Sequence, residues 1–249
     1  MKFGNPIAEG NTAKIYLHNN YIYKVFKDYI PEGESILEAE KQRFAYLCGL
    51  PVPEIIDVTK IEGKQVIIME YIKGETLGEL FFKNKANLHT FLDLSIDIQL
   101  QIHRIFPKTS NLMQHKLYRQ IENAELLTER QKDFLLRKLD SIPYENRLCH
   151  GDFHLFNLIK SDRGIFIIDW VDSTAGDVRA DVYRTYLLYS QFSEEVADLY
   201  LHLYCEKSDI ENSDIFEWAP IIAGARLSEN VSTEDSKRLL EIVNKHCPV

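Results

Sequence analysis

Apolar and polar residues alternate through much of the first seventy positions, with the two-residue period that is typical of β-strands. The predicted strands are 13–17, 21–26, 54–60 and 64–70. Asn19 and Asn20 predict a tight hairpin turn between the first two of these strands. Between 36 and 47 the apolar spacing changes to three and four residues, which predicts a helix. Ser35 and Glu38 have the pattern of a capping box at its start.

After Gly74 the pattern becomes that of a helical protein. The predicted helices are 88–106, 194–207, 214–228 and 233–245, with another that opens at the capping box of Thr128 to Gln131. Two apolar runs, 156–159 and 165–168, interrupt the helices and predict a β-hairpin. We therefore expect an α+β fold with two lobes, a small β-rich lobe at 1–72 and a larger, mostly helical lobe at 73–249.

Composition and charge exclude several classes of protein. Of the 249 residues, 27% are charged and 45% are hydrophobic, and no apolar run approaches the 20 residues of a membrane-spanning helix. The first residues lack the apolar run of a secretion signal, and the four cysteines form no CxxC pair, so we expect a cytoplasmic protein. A net charge of −9 argues against nucleic acid or an anionic membrane as a partner. The sequence favours no oligomeric state.

The predicted hairpin is surrounded by polar residues, which are costly to bury and therefore need a use. Asp152 lies on a short loop before the hairpin, Asn157 follows after four intervening residues, and Asp169 ends the second strand. A hairpin would bring Asn157 and Asp169 side by side, and their oxygen ligands suit Mg²⁺. Asp152 would then act as a base that accepts a proton from a hydroxyl nucleophile.

The segment His-Gly-Asp-x-His-x-x-Asn at 150–157, followed by Ile-Asp-Trp at 168–170, resembles the aminoglycoside phosphotransferase/choline kinase family, which comprises small-molecule relatives of protein kinases. The resemblance implies a bilobal, protein-kinase-like fold. It also implies that ATP or another nucleoside triphosphate donates its γ-phosphoryl group to a hydroxyl of a small molecule, with Mg²⁺ as the metal cofactor. Trp170 replaces the phenylalanine of the kinase Asp-Phe-Gly motif and no glycine follows it, so protein-kinase-style switching is not expected.

The resemblance also implies which residues bind the nucleotide. Lys24, on the third predicted strand, would hold the α- and β-phosphates. Glu40, in the helix of the first lobe, would be its ion-pair partner, with Glu38 as the cap of that helix. The other implied contacts are the phosphate-covering loop of Gly10, Asn11 and Thr12 and, at adenine, the backbone of Glu70 and Ile72.

Other polar residues of the motif region have supporting or open roles. The resemblance implies that His150 braces the loop and that Asp181 holds the loop backbone. His154 would either orient the loop or touch the substrate, and Asp172 is either an acid near the metal or an exposed surface residue. His103 ends an apolar helical face and is expected to be a satisfied core histidine.

The phosphate acceptor is expected to be a cation, such as an aminoglycoside or choline, since net charge is −2 over 1–72 and −7 over 73–249. Helices after residue 190 would close its site, where carboxylates would pair with ammonium groups and an aromatic face would hold a quaternary amine. Candidates are Glu194, Glu195, Asp198, Glu217, Glu229 and the aromatic Trp218. Arg226 lies in the same segment and would instead suit an anion.

Two alternatives use the same residues. If 150–154 were extended, His150, Asp152 and His154 would share one face as a metal triad with Asp169 nearby, as in a metal-dependent hydrolase. That hypothesis leaves Lys24 unexplained. The second alternative is a nucleotide-binding protein without turnover, which would bind ATP and phosphorylate nothing.

Overall fold

A computed structural model describes residues 4–109, 111–229, 231 and 234–247, and these residues form an α+β fold. The strands are β1 (Ala8–Glu9), β2 (Ala13–His18), β3 (Tyr21–Phe26), β4 (Ile55–Ile61), β5 (Lys64–Glu70), β6 (Glu75–Thr76), β7 (Arg147–Cys149), β8 (Leu158–Ser161), β9 (Gly164–Ile167) and β10 (Thr174–Gly176). The helices are α1 (Glu34–Leu47), α2 (Leu77–Lys83), α3 (Leu88–His103), α4 (Met113–Glu122), α5 (Glu129–Ser141), α6 (Val178–Ser190), α7 (Glu194–Ser208), α8 (Asn212–Phe216), α9 (Ala219–Arg226) and α10 (Ser236–His246).

The chain divides into two compact units. The first comprises the residues up to Lys85 together with Leu155–Asp172, and the second comprises Ala86–His154 together with the residues from Ser173 onward. The predicted lobes, 1–72 and 73–249, place the β8–β9 hairpin with the helices. The hairpin belongs instead to the first unit, where β8 pairs with β6 and the Ile167 N–H reaches back to the Pro51 carbonyl at 2.8 Å.

The first unit is built on an antiparallel sheet with the strand order β1-β2-β3-β5-β4. The four strands predicted from alternation are confirmed to within one residue at each end. Asn19 and Asn20 have φ values of 48° and 63°, as a two-residue hairpin of type I′ requires. The core of this unit includes Phe26 and Ile67 of the sheet with Ala39 of α1.

The start of α1 differs from the prediction. Its N-cap is Gly33, which has a φ of 95° and makes no side-chain cap, so the capping box expected at Ser35 and Glu38 is wrong. The helix begins one residue before Ser35, and the Ser35 hydroxyl donates instead to Gln65 Oε1 at 3.1 Å. The Gly33 N–H donates to the same oxygen at 2.9 Å. The Gln65 side chain therefore takes the place of a capping side chain as the hydrogen-bond acceptor at the start of α1.

The second unit is helical, apart from the antiparallel pair β7 and β10. The capping box of Thr128 and Gln131 is confirmed at the start of α5. The predicted helix 214–228 is two helices, α8 and α9, and α9 has Pro220 near its start, where the missing N–H of proline costs least. The helix predicted over 233–245 is α10, and residue 233 lies outside the described residues.

The described part of the chain contains helices of up to 16 residues. None of its helices combines the length and the apolar character that crossing a bilayer requires.

Candidate active site

In the first unit Lys24 forms a buried ion-pair cluster. Its Nζ donates to Glu38 Oε1 at 2.6 Å and to Asp169 Oδ1 at 2.9 Å. Burial alone would lower the pKa of Lys24, but attraction from Asp169 and Glu38 outweighs it and raises that pKa above its usual range. Strand β3, helix α1 and the end of the β8–β9 hairpin thus hold a fixed cation at one point.

The prediction that Glu40 pairs with Lys24 is wrong. Glu38 is the partner and is only 2% exposed, whereas Glu40 is exposed. Two residues along an α-helix correspond to about 200° of rotation, so only one of the two carboxylates can face β3. Glu38 lies one turn before the buried Gln42 and beside the buried Ala39. The sheet decides which face of α1 is buried, and the apolar spacing of the sequence did not indicate that face.

Asn157 and Asp169 lie at the open end of the β8–β9 hairpin. Leu158 pairs with Ile167 in the register, and the Ile168 N–H donates to the Asn157 carbonyl at 3.0 Å. Asn157 is buried, while the Asp169 side chain is 39% exposed. An amide oxygen and an accessible carboxylate on adjacent positions are a donor set that fits Mg²⁺.

The predicted phosphate-covering loop connects β1 to β2. The Gly10 N–H donates to the carbonyl of the first residue of β2 at 2.9 Å. The Thr12 carbonyl accepts from the Lys27 N–H at 2.9 Å. The Asn11 carbonyl accepts from the Tyr29 hydroxyl. The loop is therefore closed by its own backbone and tied to the segment after β3, while its contact with phosphate stays a prediction.

The predicted adenine-binding segment follows β5. The Glu70 N–H donates to the Glu54 carbonyl at 2.9 Å, so a contact with adenine at this residue would use the carbonyl oxygen. The Glu70 carboxylate pairs with Arg163 at 2.7 Å, and Ile72 is buried. The role of both residues at adenine stays a prediction.

In the second unit the loop 150–154 carries Asp152. The Gly151 N–H donates to Asp181 Oδ1 at 2.7 Å, which confirms that Asp181 holds the loop backbone. His150 is buried against the ring of Phe153, and its Nδ1 accepts from the Asp152 N–H at 3.3 Å. Buried polar side chains thus hold the backbone of this loop in place.

Asp181 is itself part of a buried polar network. His103 Nε2 lies 3.0 Å from Asp181 Oδ2, and His103 Nδ1 lies 2.8 Å from the Tyr204 hydroxyl. Burial would raise the pKa of Asp181, but the hydrogen bonds and charge of its neighbours, His103 foremost, hold it below its usual range. His103 is confirmed as a satisfied core histidine.

The charge of Asp152 is stabilised by its surroundings. His154 Nε2 lies 3.5 Å from Asp152 Oδ2. Burial would raise the pKa of Asp152, but His154 outweighs it, with further contributions from Arg184 and His150, and the pKa lies below its usual range. Asp152 is therefore a carboxylate at neutral pH, which is the form that a general base requires.

Three of the residues predicted to bind the acceptor are already engaged within the fold. Trp218 is fully buried, and its Nε1 donates to Asp177 Oδ2 at 3.1 Å. Glu229 accepts hydrogen bonds from Arg184 and Arg226. Glu217 lies 3.8 Å from Lys138. The predictions that Trp218 and Glu229 face the acceptor are therefore wrong.

Arg226, considered for an anionic substrate, is buried and pairs with Glu229 and Glu234. Of the predicted acidic candidates, those at the start of α7 are exposed: Glu194, Glu195 and Asp198. The sequence did not indicate Asp177, which caps α6 and orders Trp218.

The side chains of the hydrolase hypothesis do not form a ligand group. Within the described residues, the only set of three mutually close ligand side chains is the buried group of His103, Cys149 and Asp181. His150, Asp152 and His154 are not such a set, and His150 Nδ1 is used by the Asp152 N–H. The hydrolase alternative thus loses its geometric basis.

The sequence matches a family of known proteins. A family model described as "Phosphotransferase enzyme family" matches residues 4–220. Acyl-CoA dehydrogenase family member 11 of Pongo abelii is 24% identical over an alignment of 287 positions, gaps included, that covers 90% of this chain. The chain spans only 37% of that relative's length.

Two solved structures show the fold. A thermostable mutant of aminoglycoside phosphotransferase APH(4)-Ia superposes with a TM-score of 0.72 at 14% identity, covering 98% of this chain and 95% of its own. Choline kinase LicA from Streptococcus pneumoniae gives a TM-score of 0.63 at 16% identity, with 96% and 91% covered. The protein-kinase-like fold of these two proteins is the fold of this chain.

Proposed function

Because the chain belongs to the phosphotransferase enzyme family, whose members are small-molecule kinases, we propose that it transfers the γ-phosphoryl group of ATP to a hydroxyl of a small, cationic molecule. The observation that carries this proposal is the buried Lys24 between Glu38 and Asp169. A lysine whose charge is fixed and whose position is set by two carboxylates is suited to bind phosphate oxygens.

Lys24 donates to the α- and β-phosphates in this proposal, while Glu38 holds its ammonium group in place. The loop of Gly10, Asn11 and Thr12 covers the phosphates, and the backbone of Glu70 and Ile72 receives adenine. These roles rest on family membership and on the position of each residue in the first unit.

Asn157 and Asp169 would hold Mg²⁺. When bound, the ion neutralises charge on the phosphates and helps to orient them. Asn157 would contribute the oxygen of its side-chain amide, and Asp169 would contribute an accessible carboxylate. The hydrogen bond from Lys24 holds the Asp169 carboxylate in place until the ion and nucleotide arrive.

Asp152 accepts the proton of the acceptor hydroxyl as the γ-phosphoryl group is transferred. Its depressed pKa makes it a weak base in the resting protein, so its main effect is to orient the hydroxyl and receive the proton late in the transfer. Positioning and electrostatic stabilisation supply most of the rate enhancement in such reactions.

We expect Mg²⁺-dependent stabilisation by ATP to be lost when Asp169 is removed. Thermal unfolding of the native protein with ATP should shift upward with Mg²⁺ and less without it, since a ligand that binds only the folded state stabilises it. In Asp169→Ala the Mg²⁺-dependent part should nearly vanish. Asp162→Ala, in the exposed turn between β8 and β9, is the comparison variant. An identical shift in native and Asp169→Ala protein would remove Asp169 from the metal site.

The cationic character of the acceptor is supported by an aromatic and acidic cluster on α6, α7 and α8. The rings of Tyr186 and Phe216 lie 5.1 Å apart, and the Tyr186 hydroxyl lies 3.5 Å from Asp198 Oδ1. Burial, together with the charges of Glu194 and Asp198, raises the pKa of Tyr186 to about 12. An ammonium group is attracted to both carboxylates and aromatic faces.

For a cationic acceptor, kcat/KM should fall as NaCl rises, because salt screens the attraction between substrate and carboxylates. Asp198→Asn should lower kcat/KM at low salt and flatten this dependence, whereas Glu129→Gln, on α5, should change neither. The cation hypothesis fails if the best acceptor is neutral or anionic, while the kinase proposal survives.

The proposal as a whole is tested by an ATP-consumption screen, repeated with GTP, over aminoglycosides, choline, amino alcohols and sugars. Mass detection of a phosphorylated product identifies the acceptor. ATP binding without any product would support the non-catalytic alternative, and stoichiometric metal in nucleotide-free protein would support the hydrolase.

A further inference from the structure

Arg184 connects the loop that carries Asp152 to a distant part of the same unit. Its side chain, on α6, is 13% exposed. Its Nε donates to the Gly151 carbonyl. Its Nη1 and Nη2 donate to Glu229 Oε1 and Oε2 at 2.9 Å and 3.1 Å. The guanidinium therefore binds one carboxylate through its two terminal nitrogens and one backbone carbonyl through Nε.

Glu229 is held as firmly as Arg184. Its Oε1 also accepts from Gln120 Nε2 at 2.9 Å, and its Oε2 also accepts from Arg226 Nη1 at 2.9 Å. Helix α4 and the end of α9 thus fix the carboxylate, and the carboxylate fixes the plane of the Arg184 guanidinium. A side chain fixed in this way loses little further entropy when it binds another group.

The Gly151 carbonyl belongs to the peptide that joins Gly151 to Asp152. Asp181 accepts from the N–H of Gly151 and Arg184 donates to its carbonyl, so both polar groups of the residue before Asp152 are bound. Gly151 has a φ of 82°, a conformation that glycine adopts freely. Such a residue needs outside contacts to keep one orientation.

We propose that Arg184, held by Glu229, is a positioning residue that fixes the Gly151–Asp152 peptide and thereby aims the Asp152 carboxylate. This role rests on the proposed function in one respect, namely that Asp152 is the catalytic base. Glu229, counted from the sequence as an acid for a cationic substrate, acts instead through Arg184. The charge of Arg184 also contributes to the low pKa of Asp152, so charge and position have to be separated by experiment.

Four variants separate these effects: Arg184→Gln, Arg184→Lys, Glu229→Gln and the control Arg238→Gln. Arg238 also donates to a backbone carbonyl, that of Leu187 on α6, and to a carboxylate, that of Glu234. The control thus loses the same kinds of contact without touching the loop 150–154.

The first measurement is turnover with MgATP and the best acceptor of the screen. We expect kcat to fall about 10- to 100-fold in Arg184→Gln, Arg184→Lys and Glu229→Gln, with KM for ATP within a few-fold, since small misplacements of a catalytic group cost this much. Arg238→Gln should stay within about threefold of the native kcat. Lysine keeps the charge but cannot hold the carbonyl and both Glu229 oxygens, so full recovery in Arg184→Lys would overturn the positioning role.

The second measurement needs no activity and uses nucleotide-free protein. Amide hydrogen exchange in the loop 150–154 should be faster in Arg184→Gln and Glu229→Gln than in Arg238→Gln, and ¹³C titration should show a raised Asp152 pKa in Arg184→Gln but not in Arg184→Lys. Unchanged loop exchange, or equal changes in the control, would overturn the proposal. If the native protein phosphorylates nothing, the proposed function fails, and the exchange data still decide whether Arg184 orders the loop.

Discussion

Asp152→Asn is expected to lower kcat by about two to four orders of magnitude while the affinity for MgATP stays within a few-fold. Asparagine keeps the shape of the side chain, but its amide cannot take the proton that leaves the acceptor hydroxyl. Single-turnover phosphoryl transfer gives the loss in the chemical step, and calorimetric titration with MgADP gives nucleotide affinity.

The two readouts distinguish a base from a metal ligand. An equal loss of turnover and of nucleotide affinity would place Asp152 in the metal site. An unchanged kcat would remove it from the reaction. Asp169→Ala provides the opposite pattern for comparison, because its first effect should be on Mg²⁺-dependent nucleotide binding.

Glu38→Gln is expected to weaken ATP binding at least about tenfold and to lower the melting temperature, whereas Glu40→Gln should leave both within error. Removing the charge of one partner in a buried pair leaves Lys24 with Asp169 alone, and losses of about 1–3 kcal/mol are typical for a weakened buried hydrogen bond to a charged group. For a chain of this size that corresponds to a fall of roughly 2–12 °C.

The two glutamates make a matched pair, since they lie on the same helix two residues apart and the substitution is the same. KM for ATP and a thermal melt are sufficient to compare them. A larger effect at Glu40 than at Glu38 would contradict the ion-pair assignment and would restore the partner expected from the sequence.

The sequence predicted the strands and their turns well because alternation and turn residues are local signals. Asn19 and Asn20 tolerate the left-handed backbone that a type I′ turn requires, and the alternation on each side fixes which faces are buried. The sequence also sufficed to propose Asp152, Asn157 and Asp169 as site residues, because their spacing within twenty residues is the signal for such a site.

The wrong predictions involve contacts that local patterns do not encode. Ser35 and Glu38 matched a capping box, but the helix starts at Glu34 and the sheet decides which face of α1 is buried. Glu229 was counted as a free acid because its partner Arg184 lies 45 positions away. Trp218 was a candidate for the acceptor site because the sequence gives no sign that Asp177 receives its indole N–H.

The division of the chain gives the first unit a discontinuous sequence, because Leu155–Asp172 completes what the residues up to Lys85 begin. Near Gly74 the backbone runs so close to β8 that a Cβ would lie 2.1 Å from the Lys160 carbonyl oxygen. During translation, β8, which pairs with β6, and Asp169, which binds Lys24, are therefore missing until the segment ending at Asp172 has emerged from the ribosome. The first unit therefore cannot complete its fold before the loop and hairpin that follow much later in the chain have been made. A fragment ending at Lys85 should lack a stable ion-pair cluster, however well its five-stranded sheet forms.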